Sequence, residues 1–313
     1  MVWIMLILLL LLAGILWAAY YCYRLVFYSQ NVAEQDHYTI PPGKQYEAVA
    51  ERMLELVGKL DRIPYEQVYI TARDGTKLAG RYYSFHTEGP VQIQFHGYRG
   101  DPIREYSGGC AMAMELGYNV LVVDQRAHGK SGGHTITFGI KERYDCLDWA
   151  NYVVNRFGEE TKIFLSGISM GAATVLMASE LALPKEVVAI TADCPYSSPG
   201  AIIRKVCRDV RLPPWLCYPF VILGGLLYGG FKIWESSPVN AVKNTKIPIH
   251  IIHGEDDRFV PCDMSREILA AANGPCRLIT VPEAGHGLSM LVDENKYNNA
   301  FRSFLIECGI GHN

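Results

Sequence analysis

At 313 residues, half of them hydrophobic, the chain can bury one large core, and one core is expected rather than two. A net charge of −3, with no dense lysine or arginine run after residue 31, excludes nucleic-acid binding. The nine cysteines (22, 110, 146, 194, 207, 217, 262, 276 and 308) show neither CxxC pairing nor metal-ligand spacing. Reduced, mostly buried thiols in a reducing compartment are expected, and no metal or organic cofactor is implied.

The first nineteen residues carry no charged or strongly polar side chain and read Val-Trp-Ile-Met-Leu-Ile followed by a leucine run. Extended through residues 20–23, a helix of this length rises about 34 Å against a hydrocarbon core of about 30 Å. Trp3, Trp17, Tyr20, Tyr21 and Tyr23 suit the two interfaces. A cleaved signal peptide would need a positive n-region and a small-residue cleavage site, and neither is clear before Tyr20. Residues 1–28 are therefore expected to be a single-pass membrane anchor. Arg24, the basic side chain nearest the span, places the following domain on the cytoplasmic side by the positive-inside rule. Residues 29–45 are polar and punctuated by Pro41-Pro42-Gly43, as in a short tether. Val49, Met53, Leu56, Val57 and Leu60 then recur at helical spacing, which predicts a helix over 46–60 with one face in the core.

From residue 66 strand and helix patterns alternate. Strands are predicted at 67–72, 78–84, 91–95, 118–123, 162–166, 188–192, 249–252 and 277–281. The first two meet at the turn signal Asp74-Gly75, and the later ones are short apolar runs of the kind buried on both faces. Helices are predicted near 103–116, 140–157, 170–182, 263–273 and 289–306. This alternation predicts an α/β domain over 46–313, a mostly parallel eight-stranded sheet flanked by helices, with ligands met at the carboxyl ends of the strands. Residues 196–246 interrupt the pattern between the sixth and seventh strands with an apolar run over 215–231 that carries glycine pairs at 224–225 and 229–230. A lid is expected here, either an apolar roof over an acyl pocket or a surface that touches the bilayer, against the plainer alternative of a buried helical hairpin.

The chemistry is concentrated around Gly167-Ile168-Ser169-Met170-Gly171, which follows the fifth strand and opens a helix. A serine exposed on a tight strand-to-helix turn needs neighbours without bulk, and the turn aims the Met170 N–H at a developing oxyanion. Serine is a poor nucleophile without a base and an orienting acid. Both follow in the order serine, acid, histidine: Asp257 after the seventh strand and His286, between two glycines, after the eighth. Asp256 and Asp193 are alternative acid positions. The second oxyanion donor is expected to be the N–H of Tyr98, in the loop His96-Gly97-Tyr98-Arg99-Gly100 after the third strand, with His96 bracing that loop. The polar stretch 124–131 is expected to be a turn in which Asp124 and Arg126 satisfy backbone and charge partners.

Together these residues resemble the α/β-hydrolase family, and within it the bacterial serine-aminopeptidase-like or monoacylglycerol-lipase-like branch. The resemblance runs from about residue 65 to 307. It departs from the family pattern at Arg99, where a small residue is usual, and at Ala127, where glycine is usual. It implies a Ser169-Asp257-His286 triad acting through an acyl-enzyme on a carboxylic ester. The apolar insert and anchor lean toward a small-molecule or lipid ester with a hydrophobic acyl group. A serine peptidase or thioesterase would use the same triad, and a non-catalytic membrane interaction module is the competing class, which would be expected to lack a triad residue.

Overall fold

The computed structural model describes residues 1–30 and 36–310. An apolar helix α1 (Val2–Val26) precedes the short helices α2 (Lys44–Ala48) and α3 (Ala50–Leu60), so the helix predicted over 46–60 starts earlier and breaks at Val49. Part of the predicted tether, residues 31–35, lies outside the described residues.

Eight strands follow close to their predicted positions: β1 (Glu66–Thr71), β2 (Lys77–Tyr83), β3 (Val91–Phe95), β4 (Asn119–Asp124), β5 (Ile163–Ile168), β6 (Val187–Asp193), β7 (Ile249–Gly254) and β8 (Cys276–Val281). They form one sheet in the order β1-β2-β4-β3-β5-β6-β7-β8, antiparallel only where β2 meets β1 and β4. The central strands β3 and β4 are buried along their whole length; β4 reads as a short apolar run, whereas β3 alternates as Val-Gln-Ile-Gln-Phe with both glutamines buried. Helices α4 (Pro102–Leu116), α5 (Glu142–Phe157), α6 (Met170–Ala178) and α10 (Asp263–Ala271) cover the faces. The α6 helix stops four residues short of prediction, where the Ser179 hydroxyl bonds back to Leu176 O. The predicted last helix is two, α11 (Ser289–Val292) and α12 (Glu294–Glu307), because Asp293 leaves the helical conformation and its carboxylate caps Lys296 N–H.

The 196–246 insert forms α7 (Pro199–Asp209), α8 (Pro214–Leu227) and α9 (Pro238–Ala241). Helix α8 packs lengthwise on α1: a Cβ at Gly224 would stand 2.5 Å from Ala19 O, and the Tyr228 hydroxyl donates to Leu16 O at 3.2 Å. Phe27 is enclosed edge-on by Phe138 and Phe231, and Tyr23 bonds Thr135 Oγ1 at 2.8 Å. The carboxyl-terminal third of α1 is thus part of the domain's packing, whereas residues 2–12 are all exposed. Among the described residues α1 is the one helix long and apolar enough to cross a membrane.

The 124–131 stretch is a structural turn. Asp124 accepts Lys130 N–H at 2.9 Å, and the buried Arg126 forks onto Asp145 and reaches Asp74 at 2.8 Å. Arg126→Met leaves Asp145 buried without a counter-charge and should cost about 3–5 kcal/mol. Urea unfolding of the full chain in detergent, followed by tryptophan fluorescence, measures it; a loss under about 1 kcal/mol would mean the pair is effectively solvated.

Candidate active site

Ser169 sits at the junction of β5 and α6 with φ of +55°, a conformation that costs a β-carbon residue energy and persists only where its surroundings enforce it. The enforcement comes from both flanking glycines. A Cβ at Gly171 would lie 1.7 Å from Phe95 O, and one at Gly167 would lie 2.2 Å from Gly171 C. The Ser169 N–H donates to Asp193 O at 2.8 Å, tying the turn to the end of β6.

His286 Nε2 lies 2.9 Å from Ser169 Oγ, and His286 Nδ1 lies 2.7 Å from Asp257 Oδ2. The predicted serine, histidine and Asp257 are therefore brought into one hydrogen-bonded line. Asp257 Oδ1 accepts the N–H groups of Phe259 and Val260 at 2.9 and 2.8 Å, and the His253 ring approaches Oδ2 at 3.3 Å. Burial alone would push the Asp257 carboxyl up, but the bonds from His253 and His286 outweigh it and hold it well below the usual carboxylate range. Asp256 is exposed, and its carboxylate makes no hydrogen bond to Ser169 or His286. Asp193 is buried nearby with Oδ1 lacking a protein partner; burial raises its carboxyl to about 6 despite the two histidines. Cys194, Asp257 and His286 have ligand atoms within 4.8 Å of one another, but both His286 nitrogens are already engaged by Ser169 and Asp257, so the trio is a poor ion cage.

On the other side of Ser169, the N–H groups of Tyr98 and Met170 donate to no other described residue, as an oxyanion hole requires. Their loop is braced from beneath. His96 donates from Nδ1 to Gly97 O at 2.8 Å and accepts Gln125 N–H at Nε2, so both its nitrogens are committed. Glu105, on the first turn of α4, accepts Gly97 N–H at 2.7 Å, and burial raises its carboxyl. His128 accepts Arg99 N–H at 3.0 Å, and burial together with His96 pushes its ring down to about 3.

Both departures from the family pattern fall on left-handed backbone, Arg99 at φ of +51° and Ala127 at +62°. Arg99 is among the residues that line the cavity, and its guanidinium donates to Leu25 O and Tyr28 O at 3.1 and 3.0 Å, at the carboxyl end of α1. The Tyr98 hydroxyl joins it on Val26 O at 2.8 Å. An expected oxyanion donor is thereby fastened to the apolar N-terminal helix.

The cavity beside Ser169 holds about 290 Å³. Its cover differs from expectation. No residue of the 196–246 insert lines it; Pro41, Tyr46, Met53 and Leu56 do, from the segment that precedes the sheet. Within the insert, α8 packs on α1 instead. Tyr46 also donates its hydroxyl to His286 O at 3.0 Å, clasping the histidine loop. Tyr46 and Glu105 are site residues that the sequence reading missed. The one available signal was an acidic residue in the first turn of the helix that follows the glycine loop.

This sheet order, with helices on both faces and a tight strand-to-helix turn at its centre, is the α/β-hydrolase fold. A family profile described as alpha/beta hydrolase fold matches residues 105–222. Esterase Pf2001 of Pyrococcus furiosus superposes with a TM-score of 0.64 at 27% identity, covering 80% of this chain and 93% of that one. The YfhR protein of Escherichia coli K12 is 27% identical over 230 residues, 71% of this chain and 73% of its own. The YqkD protein of Bacillus subtilis is 28% identical over 193 residues, 61% of this chain and 63% of its own, so that match spans less than two thirds of the relative.

Asp257→Asn should lower kcat by about 10³- to 10⁴-fold, whereas Asp193→Asn should change it by less than about threefold. The reverse ranking would reassign the acid. Because the Asp193 carboxyl titrates near 6 in the fold against an ordinary 3.8, the unfolded chain ionises first. Its contribution to stability therefore falls as pH rises between those values, and Asp193→Asn should lessen the fall seen in melting curves, the buried carboxyls of Glu105 and Asp145 carrying the rest. Arg99→Ala, which removes the guanidinium ties between the loop and the end of α1 and leaves the Tyr98 hydroxyl on Val26 O, should lower kcat about three- to tenfold with KM little changed. A rise in KM at constant kcat would instead make Arg99 a substrate contact.

Proposed function

We propose that this chain is a membrane-anchored serine hydrolase that cleaves carboxylic esters of hydrophobic acyl groups. The observation that carries the proposal is the unbroken line from Asp257 through His286 to Ser169 Oγ, facing two unbonded N–H groups. Ser169 Oγ attacks the acyl carbonyl while His286 Nε2 accepts its proton, and the N–H groups of Tyr98 and Met170 receive the oxyanion. His286 returns the proton to the leaving alcohol. Water, deprotonated by the same nitrogen, then releases the acid, while ionised Asp257 stabilises the imidazolium in both halves.

Hydrophobic acyl groups are favoured by the cavity wall, where Met53, Leu56, Met112 and Leu291 stand beyond the serine. The esterase of Pyrococcus furiosus supports ester chemistry over amide or thioester. In this account α1 is the anchor, and Arg24 at its end keeps the domain on the cytoplasmic side.

Fluorophosphonate labelling of the full chain, beside Ser169→Ala, tests the nucleophile. Labelling should vanish in the variant, with turnover down at least about 10³-fold. Hydrolysis rates over a ladder of acyl lengths should then peak at medium to long chains. A maximum at acetyl would contradict the acyl preference, and unlabelled, folded wild type would favour an interaction module.

A further inference from the structure

Helix α8 runs for fourteen residues without one charged side chain. Its inner face rests on α1 through Val221, Gly224 and Gly225. Its outer face, Trp215, Leu216, Pro219, Leu226 and Leu227, is exposed and wholly apolar. The exposed side of a helix facing water is ordinarily polar, so this face needs a cover. At fourteen residues, about 21 Å, α8 is too short to cross a bilayer and has the length of an interfacial or re-entrant segment.

The packing on α1 says what the cover is. Tyr228, just past the end of α8, bonds Leu16 O, and Gly224 abuts Ala19. A span of about 20 residues counted from Val2 ends near Tyr21, so Leu16 lies about 7 Å inside the hydrocarbon boundary. A helix fixed to α1 at that level enters the lipid with it. The amino-terminal end of α8 lies at the other end of the contact, where Cys217 and Tyr218 share a cluster with Cys22 and Val26. Arg208 and Arg211 immediately precede that end, and Arg24 closes α1, a basic set suited to anionic headgroups.

We propose that α8 lies in the bilayer beside α1 as a wedge that seats the domain on the lipid surface in one fixed orientation. The proposal rests on the assignment of α1 as a membrane span. It gives the insert the bilayer-contacting role and leaves the cover of the cavity to residues 41–56.

The test places benzoylphenylalanine, an encoded photocrosslinker, at Leu226, at Leu16 and at exposed Lys185, in the full chain reconstituted into phosphatidylcholine–phosphatidylglycerol vesicles. Adducts are read by mass. Lipid adducts at position 226 should come within about threefold of those at 16 and exceed those at 185 by about tenfold or more. The same reporter at Leu227 repeats the reading if 226 perturbs folding. Lipid adducts at 16 without any at 226 or 227 would overturn the wedge alone. Protein crosslinks at 226 would overturn it in favour of a second copy or another protein on that face. No lipid adduct at 16 would overturn the membrane span itself, and the wedge with it.

Discussion

A serine can stand clear at the end of β5 only because neither residue 167 nor residue 171 has a side chain. The space a Cβ would take at Gly171 is filled by the carbonyl of Phe95, and that contact presses α6 against the end of β3. Phe95 is paired with Gly167 in the sheet, so the loop that leaves β3 emerges beside the elbow. The elbow also bonds to Asp193 at the end of β6, next to β7, whose following loop carries Asp257. One steric constraint at two glycines thus sets where Ser169 stands relative to the β3 loop and the end of β6, and the strain at Ser169 is held by close packing around it.

Within this frame the two buried carboxyls are driven apart by their partners. Asp257 has two backbone donors and two histidines and stays ionised; Asp193, with a bare Oδ1, is raised toward neutrality. The ionised one is the one in contact with His286, as an imidazolium-stabilising role needs. A second coupling is less usual. The end of α1 is bonded by both residues that follow Gly97, so the apolar N-terminal helix and the oxyanion loop are fastened as one piece.

Much of the fold was legible because strands buried on both faces, β4 above all, leave short apolar-rich runs bounded by turn residues, even where β3 and β7 bury glutamine or histidine among them. The elbow, Asp257 and His286 could be named because their chemistry imposes order and spacing along the chain. The cover of the cavity was not legible: Met53 and Leu56 recur at helical spacing whether they face a core or a cavity, and only tertiary position separates the two. Helix boundaries at Val49 and Asp293 turned on single residues leaving helical geometry. The α8 run looked like a lid because its apolarity is equally suited to cover a pocket or to meet lipid, and its packing partner, α1, lies some two hundred residues earlier in the chain.

The central claim is that Ser169, the two N–H groups and the cavity under residues 41–56 form one working site. The most direct measurement is a crystal structure of the full chain carrying a long-chain alkyl phosphonate on Ser169. The account predicts the phosphoryl oxygen at about 2.7–3.1 Å from both the Tyr98 and Met170 nitrogens, with the alkyl chain running between Met53, Leu56 and Met112. An oxygen turned away from those nitrogens, or a chain lying against α7 and α8, would contradict it.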